Sequence, residues 1–256
     1  MDETIRLGGM ALQNGVLVHG PTAWACAVRT PDGELKVVAR RKRFTAASVS
    51  SPLLRGPARI AEVFALLPVV KRALPEATLP MERSRAFAAM VGSAAAVHVL
   101  KRTRLTPAVR ELAAALLSVA PAAVVLREGD IAAYHGAEHM SIGAYEHGAD
   151  RPKEHERCGS HLVGPLLLTT AAGNVAAERV PPSWRPAARA AAAVGALAAS
   201  VETFGWMTRN PEHPFARALA WPGHELQHRL ATREPTPEQL EVADAALQAC
   251  LELEQG

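Results

Sequence analysis

The chain changes its hydrophobic period once. Over residues 7–40 the apolar positions come in short runs, Val16-Leu17-Val18, then Ala23 to Val28, then Leu35 to Val38. The last two are separated by Thr30-Pro31-Asp32-Gly33, where proline presets φ and glycine takes the conformation other residues avoid. This pattern predicts a small antiparallel β-sheet with Trp24, Cys26 and Val28 on one face. Gly8-Gly9 lacks the third glycine and following helix of a dinucleotide loop, and reads as a structural turn.

From Ser51 onward the period is helical. Helices are expected over Ile60 to Leu74, broken or kinked at Pro68, over Met81 to Leu100, and from Thr106-Pro107 into the apolar run Leu112 to Leu126. Later segments follow at Leu162 to Ala172, Ala187 to Val201 and Glu238 to Leu253, the last with Leu240, Ala243, Leu247 and Leu251 on one stripe. The run at 112–126 contains Pro121 and falls short of the roughly 20 residues a bilayer core requires. It reads as a buried helix, and neither 162–172 nor 187–201 reaches spanning length. The expected fold is α+β, an N-terminal β-hairpin region at residues 1–50 joined to a helical body at 51–256 as one continuous domain.

Apolar residues make up 49% of the 256 positions but aromatics only 4%, so alanine, leucine and valine must fill the core and helices must approach closely. The formal charge is +3, with basic residues dispersed apart from Arg40-Arg41-Lys42-Arg43 and Lys101-Arg102-Thr103-Arg104. A continuous basic face with interleaved aromatics is absent from the sequence, which argues against nucleic acid. Three widely spaced cysteines and a polar start at Met1-Asp2-Glu3 predict a reducing, cytoplasmic setting without a disulfide framework. No organic cofactor is expected, because no phosphate-cradling glycine loop leads into a helix.

The chemistry concentrates between Tyr134 and Gly159. His135 and His139 are one helical turn apart and face the same way, with Glu138 beside them as a ligand or as a base. His-x-x-Glu-His is the inverse of the zincin order. His155 and Cys158 add two further transition-metal donors, whereas His147, Glu154 and Glu156 suit a solvated turn around Arg151-Pro152. A second constellation, His224-Glu225 with His228, has the zincin order itself but lacks the glycine and third histidine that a metzincin would add. Glu202 closes an apolar helix and needs a partner if buried, an arginine or a metal.

Several motifs occur in a fixed order: Gly8-Gly9-x-Ala11, Gly15-Val16, Gly20-Pro21, Ala27-Val28-Arg29-x-Pro31-Asp32-Gly33, Tyr134-His135-Gly136-Ala137-Glu138-His139, Arg157-Cys158-Gly159 and Thr232-Arg233-Glu234-Pro235. Together they resemble the YqhQ-like family of bacterial proteins, a domain of unknown function labelled a predicted metal-dependent enzyme. The resemblance implies metal-site roles for His135, Glu138, His139, His155 and Cys158, and places Glu202 at a family glutamate. It also implies membrane association, although the apolar stretches here are shorter than the family's spans and His224 and Glu225 stand where the family has apolar residues.

The expected activity is that of a metal-dependent enzyme on a small-molecule substrate, using zinc, iron or manganese held by His135 and His139 with some of Cys158, His155, Glu202, His224 and His228. With zinc, the reaction is hydrolytic, the cation acidifying water and Glu138 or Glu225 taking the proton. The alternatives are iron-dependent oxygen chemistry in a biosynthetic pathway, or a non-catalytic protein with a structural metal site.

Overall fold

In the computed structural model, residues 4–43, 46–80, 82, 84–100, 102–127 and 130–256 are described. Strands β1 (Gly8–Ala11), β2 (Gly15–His19), β3 (Ala23–Arg29) and β4 (Leu35–Arg41) pair antiparallel in sequence order. Leu17 lies opposite Cys26 and Cys26 opposite Val38. The predicted sheet is thus present, with one correction: Gly8-Gly9 is not a turn but the start of β1, Gly8 pairing with His19. In β3 every residue from Ala23 to Val28 is buried, so this central strand is covered on both faces.

The helices are α1 (Pro52–Ala73), α2 (Ser84–Leu100), α3 (Pro107–Arg127), α4 (Ile131–His147), α5 (Val163–Glu178), α6 (Arg185–Arg209), α7 (Pro214–Leu226) and α8 (Pro237–Gln255). The fold is therefore α+β, as the periodicity predicted. Several helices outrun their predicted bounds. Helix α1 continues through Pro68 and α3 through Pro121, because a proline on an exposed or lightly packed face costs one backbone hydrogen bond without ending the helix. The expected start at Met81 and the basic residue Lys101 lie outside the described residues.

Contacts divide the chain into two compact units, Met1–Arg43 with Leu67–His155 and His228–Gly256, and Phe44–Leu66 with Glu156–Gln227. In the first unit the sheet does not stand apart. Helix α8 packs on β2, β3 and β4, and α4 packs on α8, β1 and β2. Val16, Val18, Ala25 and Ala27 from the sheet meet Tyr134 and Ala137 from α4 and Val242, Ala246 and Cys250 from α8. Small residues dominate this core, which lets the helices lie close to the sheet. Thr236 starts α8 with a reciprocal capping box to Gln239, ahead of Pro237 at the first helical position.

In the second unit α5 and α6 form an antiparallel pair, and α7 packs on α5 and on a short 3-10 turn, Gly159–Leu162. Met207, Ala216 and Leu219 are its small buried cluster.

Two expectations about apolar helices are corrected. The run at 112–126 is not a buried helix, for Leu116 on α3 is 66% exposed. The segment expected at 187–201 is part of the 25-residue α6, long and apolar enough to cross a membrane, with only 22% of that stretch buried. Alanine-rich composition shortened both segments to the eye, since alanine contributes little hydropathy per residue.

Helix α4 lies so close to the segment after residue 230 that Gly136 has no room for a side chain, and a Cβ there would overlap the Arg233 carbonyl oxygen. The Arg233 N–H also donates to the Ala132 carbonyl at 2.8 Å. Gly136→Ala should gain about 1 kcal/mol of helix propensity but lose more, about 1–3 kcal/mol, to overlap with backbone. Denaturant unfolding should therefore show net destabilisation, and a stabilised variant would contradict this packing.

Candidate metal centre

Three side chains of α4 meet on one face. His135, Glu138 and His139 stand at i, i+3 and i+4, the positions that stack along a helix. Their orientation is set by backbone from two other segments. The Nδ1 of His135 lies 2.8 Å from the Ala231 carbonyl oxygen, and the Nδ1 of His139 lies 2.6 Å from the Lys153 carbonyl oxygen. A carbonyl only accepts, so each imidazole carries its proton on Nδ1 and turns Nε2 to the interior of the group. The rings sit 4.3 Å apart between centroids, tilted by 59°. A ligand nitrogen of each ring lies within 4.8 Å of the other.

Glu138 faces both rings, its Oε2 lying 3.9 Å from the Nε2 of His135 and 3.9 Å from the Nε2 of His139. Two imidazole nitrogens and a carboxylate thus face one region, a donor set that a divalent cation can take. Glu138 and His139 are buried, while the His135 side chain keeps 18% of its surface and marks the side open to solvent. Gly9 in β1 makes the space, because a Cβ there would overlap the Glu138 carboxylate. Room for this carboxylate is the reason a glycine occupies a strand position that would otherwise weaken the sheet.

The remaining candidates divide between the two units. In the first, the His155 ring lies 5.5 Å from that of His139, and its Nε2 is 3.2 Å from Glu146 Oε2, a carboxylate–imidazole pair. His147 caps its own helix through the Gly143 carbonyl at 3.0 Å, in keeping with a structural role. His228 is not one turn beyond His224 on a regular helix, since α7 ends at Leu226 and a π-helical turn spans Gln227–Ala231. Instead, His228 Nδ1 lies 3.0 Å from Glu154 Oε1, which also accepts from Lys153 Nζ at 2.5 Å.

In the second unit, Cys158 is the N-cap of the 3-10 turn and makes no side-chain cap hydrogen bond to it. Burial pushes this thiol up, and neighbouring Ser160 pulls it part of the way back. Glu202 is held through both oxygens by the Arg55 guanidinium of α1, the arginine partner that an apolar helix end calls for. His224 is exposed near the end of α7, with Glu225 half-buried beside it. Cys26 and Cys250 lie in the first unit with burial raising their thiols to about 12 and about 11, which makes them poor nucleophiles.

Sequence reasoning missed Lys153 and Ala231, because they act through carbonyls and a backbone acceptor leaves no residue-type signature. It also missed Glu146. The one available signal was Thr232-Arg233-Glu234-Pro235, a motif that follows the Ala231 carbonyl directly.

Fold and site together define an α+β protein whose buried helix presents an oriented His-Glu-His group. The sequence profile of the family described as "Protein of unknown function (DUF1385)" matches residues 123–253, just over half the chain, and the chain belongs to that family. It is 34% identical over 132 residues to the uncharacterized protein YqhQ of Bacillus subtilis, a match covering 47% of this chain and 40% of that protein. The chain therefore matches less than half the length of that relative. No solved structure matches. The matched region holds α4, His155, Cys158 and the 227–231 turn, while Gly9 lies outside it.

Glu154 carries the largest pH signal in this region. Burial alone would raise its pKa, but the hydrogen bonds from Lys153 and His228 lower it from 4.5 to about 2. Because the folded value lies below the unfolded one, the stability Glu154 contributes is complete above pH 4.5 and drains away as pH falls toward 2. Acid unfolding of Glu154→Gln should show a shallower pH dependence in that window than the parent, and identical curves would contradict the pairing.

Proposed function

We propose that the protein is a metal-dependent hydrolase of a small molecule, and that it binds one divalent ion, zinc in the first place, through His135, His139 and His155. The observation that carries this reading is the pair of Nδ1–H groups committed to the Ala231 and Lys153 carbonyls. An imidazole held by a carbonyl at one nitrogen is pre-aligned to coordinate through the other. Three imidazoles suit zinc, and three protein ligands leave the fourth position for water, the pattern of catalytic rather than structural sites.

A divalent cation held there would supply Lewis acidity toward water. The protein's part is proton transfer and orientation. Glu138 Oε2, 3.9 Å from both ring nitrogens, is the acceptor for the proton that water gives up. Gly9 and the packing around α4 hold that carboxylate in place. His155, backed by Glu146, stands beside His139 as a further donor. The geometry supports the hydrolytic reading over the iron alternative, because carboxylate-rich oxygen chemistry needs several free carboxylates and Glu202 is engaged by Arg55. Glu225 as a base and His224 and His228 as ligands receive no comparable support.

A second reading concerns location. The chain works at the cytoplasmic face of a membrane, where free thiols persist and where lipid would cover its apolar surfaces. Leu166, Leu167 and Leu168 on α5, Val194 on α6, and Phe87, Val91 and Leu116 on α2 and α3 are all exposed. Exposed apolar side chains on the helices of each unit call for a lipid or protein cover. Trp184 and Arg185 at the start of α6 are residue types that anchor at a membrane interface.

Elemental analysis of the purified protein should find about one zinc ion per chain, strongly reduced in His135→Ala and His139→Ala. Glu138→Gln should retain the ion and lose turnover of activated esters. A wild-type protein that stays metal-free after growth in zinc would refute the proposal. For the location, the full-length protein should float with anionic liposomes in a density gradient and need detergent to leave them. Recovery in the lipid-free fractions without detergent would rule out the membrane reading.

A further inference from the structure

Helix α4 carries a second acid on the face that holds its histidines. Glu146 lies two turns beyond His139, and its Oε2 is 3.2 Å from the Nε2 of His155. Both side chains are nearly covered, Glu146 keeping 8% of its surface and His155 13%. The chain reaches this place by a defined route. Gly148 ends α4 in the left-handed conformation, and the loop beyond it turns back, so that the Lys153 carbonyl meets His139 and the His155 ring stands 5.5 Å from that of His139. Gly143, one turn before Glu146, lies against the returning loop. A Cβ there would stand 3.0 Å from Arg151 Cβ and 3.6 Å from His155 Cδ2. The Cδ2–Nε2 edge of the imidazole therefore faces α4.

That orientation decides which nitrogen can take a metal. A carboxylate buried this far is costly unless its hydrogen bonds are met, and it only accepts. The proton between the two groups is therefore on His155 Nε2, and the neutral ring keeps its lone pair on Nδ1. His135 and His139 are the reverse case, since their Nδ1 protons go to the Ala231 and Lys153 carbonyls and their lone pairs are on Nε2. Backbone oxygens orient two of the rings and a carboxylate orients the third.

We propose that Glu146 is a positioning residue that holds His155 in the Nε2–H tautomer and makes it a ligand through Nδ1, so that the centre mixes one Nδ1 donor with the two Nε2 donors of His135 and His139. This rests on the proposed metal-binding reading and deepens it by naming the ligating atom of the third histidine and the group that selects it. A carboxylate behind a histidine ligand also raises the basicity of the ring, and partners of this sort are worth about 10–100-fold in metal affinity.

The test uses the full chain labelled with nitrogen-15 at histidine, with and without zinc, in long-range proton–nitrogen correlation spectra that distinguish the two tautomers. Signals are assigned with His135→Ala, His139→Ala and His155→Ala. On adding zinc, His135 and His139 should shift at Nε2 while keeping a proton on Nδ1, and His155 should shift at Nδ1 while keeping its proton on Nε2. Competition against a chelator should show zinc binding weakened about 10–100-fold in Glu146→Ala. Glu146→Gln, whose side-chain oxygen still accepts from Nε2–H, should keep the His155 tautomer and recover much of that loss. A purely structural Glu146 would instead lower stability alike with and without zinc and leave zinc affinity unchanged, which would overturn its positioning role. The wild-type spectrum decides the ligating atom even where Glu146→Ala fails to fold. Zinc shifts confined to His135 and His139, or a His155 ring with its proton on Nδ1, would overturn the inference and leave metal binding by the other two histidines intact. Zinc shifts in none of the three would overturn both readings.

Discussion

Two hydrogen bonds hold the proposed centre together, one joining the His135 imidazole to the Ala231 carbonyl oxygen and the other joining the His139 imidazole to that of Lys153. A histidine on a helix can place either nitrogen outward and can rotate about two torsions, so sequence spacing alone does not aim it. The carbonyls remove that freedom. They also tie the site to the fold, since the Ala231 carbonyl precedes the segment that packs on Gly136 and the Lys153 carbonyl lies in the loop that carries the Glu154 and His228 pair. Anything that moves the 231–235 segment therefore turns the His135 ring as well.

The cost of this arrangement is a carboxylate and two imidazoles on a helix that is buried on most sides. Helix α4 can carry them because its other positions are small, Ala132, Ala133, Gly136, Ala137 and Gly143 among them, so the sheet and α8 come close without crowding the polar face. Gly9 extends the same logic to β1. A core of alanine and valine gives up burial per residue, and in return lets backbone groups stand within reach of functional side chains. The exposed leucines of α5 and the open faces of α2 and α3 form the complementary half of the picture, surfaces whose apolar character is balanced by no cover within either unit.

The sheet, the fold class and the helix-borne histidine pair were legible in the sequence because each depends on local spacing. The alternation around Pro31-Asp32-Gly33 fixes a hairpin, and an i, i+4 pair fixes a shared face. What could not be read were partners set by distant segments. The acceptor for His135 lies 96 residues away and the arginine that takes Glu202 lies 147 residues away. Gly8-Gly9 was read as a turn because glycines in pairs usually are, whereas the strand needs Gly9 for the carboxylate that rests on it. Helix lengths were read short where proline and alanine interrupt the pattern, at Pro68, Pro121 and across α6, since alanine favours a helix and neither of these two prolines ends the helix that contains it.

The central claim is that the Nε2 atoms of His135 and His139 converge on a cation beside Glu138. Diffraction from crystals of the full chain grown with zinc, recorded on both sides of the zinc absorption edge, tests it most directly. The account predicts an anomalous peak about 2.0–2.1 Å from both Nε2 atoms, with the Nδ1 atoms still on the Lys153 and Ala231 carbonyls. An anomalous map without that peak, or rings turned so that Nδ1 faces inward, would contradict it.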